Sequence, residues 1–293
     1  MEELERLKRK IKNARELQSL VKIMKTISAS NIREYEQAVE SLSEYNKTVE
    51  MGLQILMQNE AEKVLTFAPS ESRGRLGAVV FGSDQGLCGN FNELIASFAV
   101  DKMKGISHQE LKALAVGERV IARLEEAGQP IEAHFSFYGN HLGITQVMLD
   151  LLLKIEEWRS KEEVDQIILF YNQSVSDAAF SPHMVYLFPL DMKWLAGLAE
   201  KEWPSRALPA FSMDASRLFS SLVRQYLFFS LYRAFVESLA SENASRLLSM
   251  QMAEKNIEEH LVDLNVQFQK QRQAAITSEL LDVVVGFEAL AGR

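Results

Sequence analysis

Glycine and proline are missing from residues 210–285, a run of 76 positions between Pro209 and Gly286. These two residues are the strongest interrupters of a helix, so the backbone of this run has nothing to stop one helix from spanning it. At about 1.5 Å per residue such a helix is on the order of 110 Å long, more than an ordinary globular domain needs. Cysteine is nearly absent too. Cys88 is the single one in 293 residues, which excludes an internal disulfide and fits a reducing compartment. There is no signal-peptide pattern and no apolar run of about 18 residues, so any membrane association is expected to come through partners rather than by insertion. The net charge of −8 lacks the basic balance of a dedicated nucleic-acid binder.

What is present is periodicity. Leu218, Leu222, Tyr226, Phe229, Tyr232, Val236 and Leu239 lead into Leu247, Met250, Ile257, Leu261, Leu264 and Phe268 at mostly three- and four-residue steps, the seam of a coiled coil. The N-terminus supplies a matching seam in Leu4, Leu7, Ile11, Ala14, Val21, Met24, Ile32, Tyr35, Val39, Leu42, Val49, Leu53 and Leu56, with no Gly or Pro before Gly52. The two chain ends are therefore expected to pair with each other. The first of these helices also changes sign along its length. Residues 1–33 carry nine Lys or Arg against four Glu, and residues 34–63 carry seven Glu against Lys47 and Lys63. The pattern suits either a solvated coiled-coil face or a basic half that turns inside a partner's collar.

Residues 57–75 lose the seam and collect Pro69, Ser70, Ser72 and Gly74, a linker. Short apolar runs follow at Leu76–Phe81, Leu111–Val116, Glu132–Phe137 and Val164–Tyr171, separated by helical patterns at Phe91–Lys104, Glu118–Ala127 and Gly143–Trp158. Strand alternating with helix implies a largely parallel sheet, and His183–Phe188, which follows Val164–Tyr171 without a helix between, is expected to pair antiparallel. Residues 189–212 hold Pro189, Pro204 and Pro209 and lead back to the long helix. The expected fold class is α+β: a long antiparallel coiled coil of N- and C-terminal helices (1–60 and 210–290) with an inserted small α/β domain (76–205) whose sheet is mostly parallel.

The candidate sites of chemistry are weak. Gly82-Ser83-Asp84-Gln85-Gly86-Leu87-Cys88-Gly89 lies where a phosphate-binding loop would fall, but it lacks the lysine of a nucleotide triphosphatase loop and the dinucleotide glycine spacing, so it reads as a structural turn or a ligand loop of another kind. Cys88 beside it is a small buried hydrophobe or a thiol activated by a helix N-terminus. The histidines His108, His134, His141, His183 and His260 show no i, i+4 pair, and with one cysteine there is no zinc signature; no metal or other cofactor is expected. Asp84 with Glu93, or Glu156 with Glu157, pairs acids without forming a catalytic constellation. Lys270-Gln271-Arg272-Gln273 is a solvated patch or a set of donors for another chain's carbonyls and carboxylates.

Three separated blocks resemble the gamma subunit of rotary F-type ATP synthases. They are Lys22-Ile23-Met24-Lys25, then Ser83-Asp84-Gln85-Gly86-Leu87-Cys88-Gly89-Asn90-Phe91-Asn92, then the C-terminal stretches Glu237-Ser238-Leu239-Ala240-Ser241-Glu242 and Arg272-Gln273-Ala274-Ala275-Ile276-Thr277-Ser278-Glu279-Leu280. The resemblance runs end to end, and the blocks keep the family's order and separation.

It implies a central shaft inside a hexamer of alternating alpha and beta subunits, with an α/β foot touching epsilon and the membrane rotor ring of c subunits. Such a chain has no active site and no nucleotide of its own. It acts in ATP synthesis and ion transport, as a peripheral protein on the cytoplasmic face of the inner membrane, by contacting each beta subunit differently as it turns. By the same resemblance Met24, Lys25, Arg272, Gln273, Thr277 and Glu279 would contact a beta subunit. The chain departs from the family at Asn31-Ile32-Arg33-Glu34-Tyr35-Glu36, at Phe268-Gln269-Lys270-Gln271-Arg272-Gln273 and at Ala207-Leu208-Pro209-Ala210-Phe211, which marks a divergent branch. The competing classes are an α/β nucleotide-binding enzyme, against which the missing phosphate-loop lysine speaks, and a coiled-coil scaffold, which has no use for the Arg272–Glu279 block.

Overall fold

A computed structural model describes residues 2–65, 74–137, 141–176, 179–203, 209 and 211–291. The chain opens with helix α1 (Glu2–Leu65) and closes with helix α6 (Ala215–Ala291). Between them run β1 (Arg75–Phe81), α2 (Phe91–Gly105), β2 (Glu110–Val116), α3 (Glu118–Glu126), β3 (Ala133–Phe135), α4 (His141–Lys161), β4 (Gln166–Ser176), β5 (Ala179–Phe188) and α5 (Met192–Glu200). Two compact units result: Met1–Ala29 with Arg246–Arg293, and Ser30–Ser245.

In the first unit α1 and α6 run antiparallel. Leu7, Ile11 and Ala14 bury against Leu264, with Leu261 and Phe268 half-buried beside them. Gln18 Nε2 reaches Glu258 Oε1 at 3.2 Å, and Lys25 reaches Glu254 one turn earlier on α6.

The second unit holds a five-stranded sheet in the order β3-β2-β1-β4-β5, parallel except for β5, which pairs antiparallel with β4. Strand alternation divides its core into two layers. Ala78, Val80, Ala113, Ala115, Ile168 and Phe170 face α2 and α3. Val79, Phe81, Leu114, Val116, Ile167, Leu169 and Tyr171 face the other way, onto α4, α5 and the residues that α1 and α6 contribute to this unit. Phe235 of α6 sits between Phe81 and Phe137, ring centroids 5.7 and 5.5 Å away. Trp158 of α4 is fully buried over β1, and a Cβ on Gly77 would stand 2.8 Å from its ring, so β1 needs glycine there. Here too α1 and α6 are antiparallel: Asn31 meets Asn243, and Tyr45 meets Gln225 and Phe229.

Local signals explain most boundaries, and the departures have causes. α6 begins at Ala215, after Asp214 Oδ1 accepts from the amides of Ser216 (3.0 Å) and Arg217 (3.2 Å), an N-cap that sets the start there rather than directly after Pro209. At its far end it continues through Gly286 to Ala291, since one glycine weakens a helix by only about 1 kcal/mol. α1 runs on to Leu65 rather than ending near residue 57; residues 66–73 of the expected linker lie outside the described residues. The third strand is shorter than expected, three residues, and the β4–β5 hairpin longer. Helix α5 lies in the proline-rich return segment, where the sequence pattern shows no helix. Asp191 caps it by accepting from Lys193 N at 2.8 Å, Leu195 and Leu198 bury, and Gln54 of α1 donates to Lys201 O at its end. Ala207, Leu208 and Ala210, in the segment that departs from the family before the second long helix, are outside the described residues.

Leu53 of α1 is fully buried in the layer beneath the sheet. Leu53→Ala should lower the stability of the full chain by about 2–5 kcal/mol, read as an earlier urea midpoint, because a cavity adds to the lost transfer energy.

Candidate functional site

The loop after β1 stands at the point where the sheet's winding reverses, between β1 and β4, the usual place for a ligand in a doubly wound fold. Here it is closed by its own chain. Ser83 N donates to Asn92 Oδ1 at 2.9 Å, Asn92 Nδ2 donates to Ser83 Oγ at 2.8 Å, and Ser83 Oγ donates to Gln85 O at 2.8 Å. Asp84 accepts from the amides of Glu118 (3.1 Å) and Phe137 (2.7 Å), tying the loop to α3 and to the second residue after β3. Burial is the largest influence on the Asp84 carboxyl and outweighs those amides, holding its pKa above the usual value. Gly82 and Gly117 touch backbone to backbone: Gly117 has φ +102, and a Cβ on it would lie 2.8 Å from the Gly82 carbonyl carbon. From outside the sheet Ser245 of α6 donates to Cys88 O at 2.7 Å, and from within it Asn172 of β4 donates to Phe91 O at 3.1 Å.

The side chains of Ser83, Asp84 and Asn92 are spent on hydrogen bonds within the protein, as in a structural turn, and no lysine stands in the loop. Cys88 is buried with its thiol 3.5 Å from Ser83 Oγ, the environment of a small core residue. Among the described residues no cluster of three or more His, Cys, Asp or Glu is placed to hold a metal ion. Ser245 and Asn172 were missed as site residues. Both contacts span large sequence separations, 157 residues for Ser245 and 81 for Asn172, and no local pattern marks them.

The six helix positions singled out from the sequence fall into two groups. Met24 is half-buried, and Lys25 Nζ lies 2.5 Å from Glu254 Oε2, with Lys22 Nζ 3.8 Å from Oε1. Glu254 is the residue that sequence reasoning missed here, and it is only 16% exposed. Its carboxyl is held below the usual range, first by the hydrogen bond from Lys25 and then by the charges of Lys25 and Lys22, against the opposing effect of burial. Arg272, Gln273, Thr277 and Glu279 are all exposed on α6. Thr277 Oγ1 donates to Gln273 O at 2.9 Å, so that hydroxyl is engaged along its own helix. The two groups do not meet: Glu254, opposite Lys25, lies 18 residues before Arg272 on α6, about 27 Å along the axis at 1.5 Å per residue. Among and beyond them the end of α6 exposes Ile276, Leu280, Leu281, Val283, Val284, Val285 and Phe287, the last at 73%. A lone helix end this apolar marks a surface made for contact. Among the described residues no helix is long and apolar enough to cross a membrane.

The architecture is shared with known proteins. A family model described as ATP synthase matches residues 3–290, and the chain belongs to that family. The ATP synthase gamma chain of Heliobacterium modesticaldum is 27% identical over 286 residues, covering 97% of this chain and 98% of the relative. The ATP synthase gamma chain of Buchnera aphidicola is 23% identical over 295 residues, covering 99% of each. Among solved structures, a chain of the Euglena gracilis mitochondrial ATP synthase rotor superposes with a TM-score of 0.60 at 16% identity, over 93% of this chain and 98% of that one. A chain of the Tetrahymena thermophila mitochondrial ATP synthase central stalk and c-ring gives 0.56 at 21% identity, over 80% and 99%. The structural likenesses establish the fold.

The Glu254 pairing has a pH signature. A depressed folded-state pKa adds stability above the unfolded carboxylate value, 4.5, and that stability is lost as pH falls through the lower folded value. At pH 7 Glu254→Gln should therefore unfold at lower temperature than the parent, and the difference should close as the pH is taken well below 4.5, measured by thermal melts across pH.

Proposed function

We propose that the chain is the central shaft of an F-type ATP synthase, the gamma-type subunit whose rotation couples ion flow through the membrane sector to ATP synthesis or hydrolysis on other subunits. The observation that carries this reading is the match of a family model over residues 3–290, borne by a chain whose ends form two long antiparallel helices. Its partners are the alpha and beta subunits of the catalytic hexamer, the epsilon subunit and the ring of c subunits. Residues 1–60 and 210–290 serve as the shaft in this reading, and residues 76–205 as the foot.

The subunit itself is read as non-catalytic. Supporting this, the one loop placed like a phosphate site has its polar groups engaged by Asn92, Gln85 and Ser245 rather than left open. The complex is read as peripheral to the cytoplasmic face of the inner membrane, held there by its partners.

For the shaft's contacts we infer two levels on a beta subunit. Met24 and Lys25 form the lower one, where Glu254 holds the Lys25 ammonium in place. Arg272, Gln273, Thr277 and Glu279 form the upper one, exposed and ready to donate or accept across an interface. A shaft that meets each beta subunit differently at a given angle shifts that subunit's nucleotide affinity by the difference in contact energy.

Two measurements test this. The pure chain should neither bind ATP tightly nor hydrolyse it, and turnover that survives removal of alpha and beta would overturn the non-catalytic reading. In the assembled complex, replacing Arg272 and Gln273 with Ala removes hydrogen bonds worth roughly 1.5–3 kcal/mol each where the acceptor is charged. Turnover should fall by about tenfold or more while subunit stoichiometry is kept, because the coiled-coil seam is untouched.

A further inference from the structure

Apart from the closed loop and the shaft positions, the second unit closes one end of its core with charge. Lys112 of β2 stands opposite Gly77 of β1, on the strand face that Leu114 and Val116 continue as apolar core beneath α4. Lys154 reaches it from α4, Glu132 from just before β3 and Glu162 from just after α4. Glu132 sits between the two lysines, with Oε1 2.8 Å from Lys154 Nζ and Oε2 3.5 Å from Lys112 Nζ. Glu162 bridges them as well, its Oε2 in contact with Lys112 Nζ and its Oε1 3.9 Å from Lys154 Nζ. The four charges thus alternate around a closed ring, and their side chains are only 23–29% exposed.

Trp158 ties the ring to the core. Its Nε1 donates to Glu132 Oε2 at 3.2 Å, and its rings are fully buried over Gly77. Other charges surround the ring: Glu110 of β2 lies 3.9 Å from Lys112, and Glu157 of α4 lies 3.3 Å from Lys154 and 3.0 Å from Lys161. Arg75 of β1 pairs with Glu110 and Glu163, and its amide donates to Asp165.

Burial favours the protonated form of Glu132, but the hydrogen bonds from Lys154 and Trp158 and the two lysine charges outweigh it and hold the carboxyl below its usual range. The hydrogen bond to Glu162 holds the Lys112 ammonium above its usual range, and the bond to Glu132 does so for Lys154, each against burial. A depressed carboxyl contributes stability above the unfolded value of 4.5 and loses it as pH falls through the lower folded value. The raised lysines contribute below 10.5 and lose their share only in alkali, so acid is what undoes the ring first from neutrality.

Such a ring opens as a unit. Neutralising Glu132 leaves two ring cations against one carboxylate, in a part-buried place where water screens charge less than at an exposed surface. It also turns a charge-assisted acceptor for the Trp158 indole into a neutral one, which binds more weakly. The opposite layer has no such weak point. Helix α2 packs on the sheet through Phe91, Ile95, Ala99 and Met103 and makes no ion pair to it among the described residues.

We propose that Lys112, Glu132, Lys154 and Glu162 form an acid-released clasp, which holds the C-terminal end of α4 on β1 and β2 at neutral pH and lets it lift before the α2 layer yields. The device stands on the side-chain geometry of the second unit and does not require the shaft reading.

The test is hydrogen exchange read by mass spectrometry on the full-length chain at pH 6.5 and pH 3.5, with rates corrected for the intrinsic effect of pH. In acid, protection of residues 154–161 should fall by at least about tenfold while that of residues 95–103 changes by less than about threefold. Glu132→Gln keeps the reach of the side chain and an acceptor for the indole but removes the charge. That variant should already show the loss of about tenfold at residues 154–161 at pH 6.5, with no further selective loss at pH 3.5. Equal loss in the two helices of the parent, or no loss at residues 154–161, would overturn the clasp, and so would a Glu132→Gln chain that behaves like the parent at both pH values. Should Glu132→Gln unfold, Lys112→Met, which leaves both carboxylates on Lys154 alone, takes its place with the same loss expected at pH 6.5 and the same result overturning it.

Discussion

One face of the five-stranded sheet lies against helix segments drawn from both halves of the sequence. Val79, Phe81, Leu114, Val116, Leu169 and Tyr171 point to that face, and they bury only because α4 and parts of α1, α5 and α6 cover them. Parallel strands buried on both faces bear little polar surface, so exposing either layer would cost apolar burial at about 25 cal/mol per Å². Phe235 shows how the cover is locked. It is 1% exposed, stacks near Phe81 and meets Phe137 edge-on, so the rotation of α6 about its own axis is set by the shape of the sheet beneath it. What α1 and α6 present elsewhere in this unit follows from that docking.

The same docking explains why an α/β unit with a nucleotide-binding topology holds a turn where a ligand would go. The crevice at the reversal of strand order is reached by Ser245 on one side and Asn172 on the other, and both spend their donors on carbonyls of the turn and of the first residue of α2. Asp84 pins the turn to α3 and to Phe137. At the place that other doubly wound proteins leave open for phosphate, Ser83 and Cys88 are buried here while Gln85 and Leu87 face solvent.

Ion pairs of two kinds involve the long helices. Lys25 and Lys22 converge on one part-buried carboxylate, Glu254, whereas ion pairs such as Lys8 with Glu5 and Lys47 with Glu44 are exposed and span one helical turn. Exposed pairs of that kind contribute about 0–1 kcal/mol and do little more than keep a helix face soluble. A convergent pair between helices instead selects a register, because sliding either helix by one turn separates the charges.

Much of the architecture was written in local pattern. The absence of Gly and Pro from residues 210–285, the two apolar seams and the alternation of β-branched runs with helical periods were sufficient for two long helices around an inserted, mostly parallel α/β sheet with one antiparallel strand. The missing phosphate-loop lysine was equally plain. Features of this kind are set within a few residues of backbone, by breakers and by period, and a sequence displays them directly. Helix α5 escaped because its nine residues sit among prolines and its one strong mark, Asp191, is a single capping side chain. The partner of Lys25 is 229 residues away, and the donor that closes the Cys88 turn is 157 away. Which residues meet across such distances depends on helix register and on how α6 rotates to fit the sheet. Those are properties of packing, decided when the apolar layers close, so only the tertiary structure could assign Glu254 and Ser245.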